Sequence, residues 1–173
     1  MTSLLSVLVF NQRAQHRVPE PVLCAGTNRT KGLSKEEVQQ LILNEASHFP
    51  IEEQALLLAI AHQESNFNPC AKNPNSTASG IFQFVRSTAK SLGLSNSEVL
   101  QPSKNVRAAI QLFTEHKRHV AQRFPNARGE DRLALLYALH HDGPSLNDQG
   151  LKLAQQKVIP LYRKYLRMMS IGS

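Results

Sequence analysis

Apolar side chains recur three and four residues apart along most of the chain, and no stretch shows convincing two-residue alternation, so the pattern reads as a succession of helices. The first is expected to begin after Ser34. In Ser34-Lys35-Glu36-Glu37 the serine oxygen can accept an orphan amide of the first turn while the glutamate reaches back, a capping box. Val38, Leu41, Ile42 and Ala46 follow at helical spacing, and Pro50 ends the element. A second helix is expected over 51–63. Its stretch Ala55-Leu56-Leu57-Leu58-Ala59-Ile60-Ala61 is apolar all round, the mark of a helix buried at the centre of a domain. It is too short to cross a bilayer, which takes roughly 20 apolar residues. After a loop over 65–79 rich in Asn, Pro and Ser, a short helix over 87–92 is expected to end at Gly93, a natural residue just past a helix end. A long helix over 103–124 places Val106, Ile110, Phe113, Val120 and Phe124 on one face. A further helix is expected over 131–140 and a last one over 148–168, with Leu151, Ala154, Val158, Leu161 and Tyr165 inward and Pro160 kinking or dividing it. The fold class is all-α, with one domain over 33–173. Residues 1–32 lack periodicity, contain Pro19, Pro21, Gly26 and Gly32, and read as a loose N-terminal arm or targeting segment.

Composition supports a folded domain: 41 % hydrophobic and 19 % charged residues among 173 is too apolar for a disordered chain. A formal net charge of +7 favours an anionic partner, whether nucleic acid, anionic lipid or a carboxylate-rich wall polymer, and does not choose among them. The Lys and Arg residues are scattered, without a dense cluster or a helix-turn-helix pattern, so nucleic acid is not expected. The apolar segment Leu4-Leu5-Ser6-Val7-Leu8-Val9-Phe10 is too short for a membrane span, and only Met1, Thr2 and Ser3 precede it where a secretory signal carries Lys or Arg. Pro21-Val22-Leu23-Cys24 is a poor fit to a lipoprotein cleavage site, with Leu where a small residue belongs. Cys24 and Cys70 are too few for a disulfide framework; one bridge in an oxidising compartment and two unrelated thiols both remain open.

Candidate chemistry sits where the apolar helix turns polar, in Ala61-His62-Gln63-Glu64-Ser65-Asn66-Phe67-Asn68-Pro69. A helix C-terminus carries partial negative charge, so a carboxylate is disfavoured there. An acid that must hold a proton near neutral pH is served by such a place beside apolar surroundings. No Asp or Glu occurs between Glu64 and Glu98, although Glu115 or Asp142 can approach in space.

Glu64-Ser65-Asn66-Phe67-Asn68-Pro69 followed by Ala78-Ser79-Gly80-Ile81-Phe82-Gln83 resembles the signature of the soluble lytic transglycosylase family, which is related to goose-type lysozyme. Gln101-Pro102-Ser103-Lys104-Asn105-Val106 is similar to its D-P-x-x-N-I element, and Leu139-His140-His141-Asp142-Gly143-Pro144 to its A-Y-N-A-G-P element. The matches keep the family order across about residues 34 to 165. The resemblance implies a lysozyme-like helical domain with a substrate groove, needing no cofactor or metal. Its activity would be cleavage of the bond between N-acetylmuramic acid and N-acetylglucosamine, giving a 1,6-anhydro sugar. Glu64 would be the sole acid and base, and Ser65 would fix the turn after its helix. Asn73, Ser79, Gly80 and Gln83 would meet the sugars, with Phe84 or Phe82 as an apolar floor. The family tyrosine that holds the catalytic Glu falls where His140 stands, so either His140 or Tyr137, one turn earlier, is the partner of Glu64; His141 completes the candidate substrate-binding set. Peptidoglycan glycan strands are the implied partner, in the bacterial envelope or periplasm. Housekeeping, phage-particle and secretion-system settings all stay open, as do a lysozyme-like hydrolase and a non-catalytic wall-binding protein.

Overall fold

The computed structural model describes Cys24 and residues 33–171. The expected arm over 1–32 and its possible targeting segment lie, Cys24 apart, outside the described residues. Among the described residues seven α-helices follow in order: α1 (Lys35–Glu45), α2 (Ile51–Ser65), α3 (Arg86–Ser91), α4 (Pro102–Arg123), α5 (Gly129–Asp142), α6 (Asp148–Leu153) and α7 (Ile159–Ile171). A 3-10 turn, Glu98–Leu100, precedes α4. The all-α expectation holds among the described residues, where only isolated bridges pair Ser79 with Lys72 and Phe84.

The capping box forms as expected: the Glu37 amide donates to Ser34 Oγ at 3.2 Å and the Ser34 amide to Glu37 Oε2 at 2.7 Å. Helix α2 is the central rod. Every residue from Ala55 to Ala61 is at most 3 % exposed, and burial of each large aliphatic side chain contributes about 1.5–3 kcal/mol. Its most extensive packing is against α7. Near its start the buried Glu53 receives Lys117 of α4 at 2.6 Å and Arg132 of α5 at 3.4 Å, so the charge is compensated by two helices that α2 must meet.

The expected last helix is divided. Between α6 and α7 lies a π-helical turn, Ala154–Val158, and Pro160 is the second residue of α7. Proline lacks an amide donor and crowds the carbonyl four residues back, and a widened turn places it where a helix start tolerates it. Downstream, Tyr162 rather than Leu161 takes the fully buried place.

Candidate active site

Helix α2 runs two residues beyond its expected end at residue 63, so Glu64 sits in its last turn. Ser65 makes this possible. Its hydroxyl lies 2.8 Å from the Ile81 carbonyl and 3.2 Å from that of Ala61, anchoring the helix end to the following loop. Asn66 then takes the left-handed conformation (φ 52°), which Asn tolerates, and Phe67 continues it (φ 63°) into the core.

The turn over 80–84 packs against this helix end. Gly80 has φ +82°, and a Cβ there would lie 2.4 Å from both Asn105 Nδ2 and the Val99 carbonyl. Only glycine admits the buried Asn105, which donates to the Val99 carbonyl at 2.8 Å and accepts from the Phe82 amide at 3.1 Å. Gln83, itself at φ 50°, closes the turn by donating its amide nitrogen to the carbonyls of Gly80 (2.9 Å) and Ala71 (3.3 Å).

Helix α5 supplies the facing wall and settles which residue partners Glu64. The hydroxyl of fully buried Tyr137 donates to Glu64 Oε1 at 2.9 Å. Burial, then the nearby Glu64 charge, push the phenol far above its ordinary value, so it stays a neutral donor. His140 is committed elsewhere: its Nε2 lies 3.0 Å from the Phe82 carbonyl and holds the 80–84 turn. Burial pushes the His140 pKa down against the opposing pull of Glu64, so the ring is neutral and donates that bond.

Together these elements border a groove of about 650 Å³, lined by Glu64, Asn73, Gln83, Phe84, His140 and His141 among others. Phe84 borders the groove while sharing the core with Phe82, the two being 2 % and 1 % exposed. Four of the expected substrate-contacting residues do not line it. Gly80 is buried under Asn105, Tyr137 is buried behind Glu64, Ser65 points into the loop, and Ser79 opens onto an adjoining hollow.

Of the α4 wall only Glu115 was expected to come near; its histidines were not. Glu115, His116 and His119 all line the groove. Burial first, then His140 and His119, push His116 down to about 4. The sequence signal for His116 and His119 was their spacing, three apart on one helix face. Asp142 also borders the groove, but its side chain is 1 % exposed and fully engaged. Oδ1 lies 2.7 Å from His141 Nδ1, and Oδ2 accepts from the amides of Asn147 and Gly150, each at 3.1 Å. It is the anchor of α6. Among the described residues no three His, Cys, Asp or Glu side chains gather as metal ligands would.

Cys70 is disulfide-bonded to Cys24, with Cα atoms 5.3 Å apart. The two cysteines are therefore partners, and the bridge ties Cys24 to the loop after α2.

An all-helical body presenting a glutamate from the end of its central helix to an open groove, with a buried tyrosine behind it, is of the lysozyme-like class. The chain belongs to the Transglycosylase SLT domain family, which matches residues 40–151. It is similar to the membrane-bound lytic murein transglycosylase F of Pseudoalteromonas translucida (strain TAC 125), at 33 % identity over 106 residues, which is 61 % of this chain and 21 % of that protein. Proteins of the same name from Pectobacterium atrosepticum and Vibrio cholerae are 33 % identical over 76 and 75 residues, covering 44 % and 43 % of this chain and 14 % and 13 % of theirs. The chain thus matches about a fifth or less of each relative's length.

Proposed function

We propose that this domain is a lytic transglycosylase that cleaves peptidoglycan glycan strands with Glu64 as both acid and base. The observation that carries the reading is the Tyr137–Glu64 hydrogen bond at the groove: one carboxyl oxygen is fixed, and the other is left to the substrate. Protonated Glu64 delivers its proton to the glycosidic oxygen between N-acetylmuramic acid and N-acetylglucosamine as the C1–O bond breaks. The resulting carboxylate then takes the proton of the muramic 6-hydroxyl as that oxygen attacks C1. A 1,6-anhydro ring forms, no water is consumed, and Glu64 ends protonated. Gln83, whose amide nitrogen is held by backbone, offers its carbonyl oxygen to the sugar; Asn73 offers its amide, and Phe84 an apolar face. His140 holds the turn that carries Gln83 and Phe84, and His141 borders the groove one residue on.

The substrate places the protein in the bacterial envelope. The Cys24–Cys70 bridge supports this, since disulfides persist in oxidising compartments, as do the names of the relatives. No helix among the described residues is long and apolar enough to cross a membrane.

A hydrolytic second reading rests on Glu115, an exposed carboxylate on the same groove wall that could activate water. Mass spectrometry of muropeptides released from purified sacculi separates the two, because anhydro ends are lighter than reducing ends by one water. The expected result is anhydro product from wild type and from Glu115→Gln, and none from Glu64→Gln. Reducing ends alone, lost in Glu115→Gln, would establish the hydrolase; full lysis by Glu64→Gln would overturn both readings.

A further inference from the structure

A second hollow of about 330 Å³ adjoins the groove and shares Asn73, Ala78 and Phe84 with it. Its chemistry is the reverse of the groove's. The groove carries Glu64, Glu115 and Asp142 and no Lys or Arg. Among the described residues the hollow carries Lys72 and Arg86, the polar side chains of Ser76, Thr77, Ser79 and Asn96, and no Asp or Glu. Among the described residues the Lys and Arg side chains in ion pairs are Lys104, Arg107, Lys117, Arg132 and Arg163, all away from this hollow. Lys72 and Arg86 are exposed and take part in none of these.

The backbone brings the two cations together. Lys72 pairs with Ser79 in one bridge and Ser79 with Phe84 in the next, so the chain folds back on itself twice within thirteen residues. The Arg86 amide is then fixed by donating to Thr77 Oγ1 at 3.0 Å.

We propose that the hollow is a carboxylate subsite, and that Lys72 and Arg86 bind an anionic group hanging from the muramic sugar while the glycan lies in the groove. This rests on the peptidoglycan reading of the groove. In that polymer only the muramic residue carries an acidic appendage, through its lactyl ether. The carboxylate is either the free lactyl group or one belonging to the peptide attached to it. Both chemistries suit an Arg fork and a Lys point charge. The subsite would set which sugar of the alternating strand stands beside Glu64, because a strand shifted by one residue leaves both cations unpaired.

The test is direct binding to full-length Glu64→Gln protein, without and with Lys72→Ala and Arg86→Ala, by calorimetry at low and high salt. Three probes are used: chitotetraose, which has no carboxylate; amidase-stripped glycan strands, which carry free lactyl groups; and strands retaining their peptides. The expected result is tighter binding of carboxylated strands, lowered about threefold by each substitution and about tenfold by both. The effect should shrink at high salt, and chitotetraose affinity should not change, which also reports an intact fold. Loss with stripped strands identifies the lactyl carboxylate; loss only with peptide-bearing strands identifies the peptide's. Equal binding of all three probes, or carboxylate preference surviving in the double variant, overturns the subsite. Failure of the enzymatic reading shows differently, as wild type that releases no sugar product while the carboxylate preference stands.

Discussion

Tyr137→Phe removes one atom from the site and keeps the ring. Tyr137 is fully buried and isosteric with Phe apart from its hydroxyl, so the core should repack without a cavity. The hydroxyl's partner is Glu64 Oε1 at 2.9 Å. A hydrogen bond to a charged group is worth about 1.5–3 kcal/mol. Glu64 is a carboxylate midway through the proposed reaction, after giving its proton and before regaining it. If the whole bond is felt there, kcat falls about 10- to 100-fold, at tenfold per 1.36 kcal/mol. KM should move little, since Tyr137 does not line the groove. The assay is the initial rate of anhydro-muropeptide release at saturating substrate, with thermal unfolding as the fold control. In a Glu64→Gln background the Tyr137→Phe change should do nothing further. A kcat within twofold of wild type, with Tm preserved, would refute the assignment of Tyr137 as the residue that holds the acid.

Other outcomes follow from the same geometry. His116 is depressed to about 4 in the fold, below the 6.5 of an ordinary imidazole. The unfolded chain therefore takes up the proton first, and stability present above pH 6.5 is lost as pH falls toward 4, by at most about 3 kcal/mol. Urea midpoints at pH 7.5 and 5 should show the loss, and His116→Gln should reduce it. Gly150→Ala would set a Cβ 2.4 Å from Asp142 Oδ2 and 3.0 Å from Ala138 Cα, so it should destabilise by about 1–3 kcal/mol and lower Tm by several degrees; an unchanged Tm would mean α6 can shift away. Reducing the Cys24–Cys70 bridge, which spans a sequence separation of 46, should lower unfolding free energy by up to about 4 kcal/mol, read as the difference between melts with and without reductant. No difference would show that the bridge constrains neither state.

Helical periodicity and caps determined the elements of this protein. The capping box at Ser34, the apolar α2 and the break near Pro160 are local events, decided by side chains within a turn or two of one another, and they are legible as such. The motif order likewise placed Glu64 and the turn around Gly80. Pairings between distant segments were not legible. Whether Tyr137 or His140 meets Glu64 depends on how α5 is rotated against α2, and one turn of that helix exchanges the two. The sequence named Gly80 as a sugar contact, yet its conformation serves Asn105, more than twenty residues away. Asp142 looked available as a second acid until α6 was found resting on it. The α4 histidines, the Cys24–Cys70 bridge and the pairing of Lys72 with Arg86 around one hollow arise only when remote surfaces close on each other. A sequence carries the local preferences that shape each helix; the rotation of one helix on another is set by the packing of the whole core, and it is that rotation which chooses the residues that face the groove.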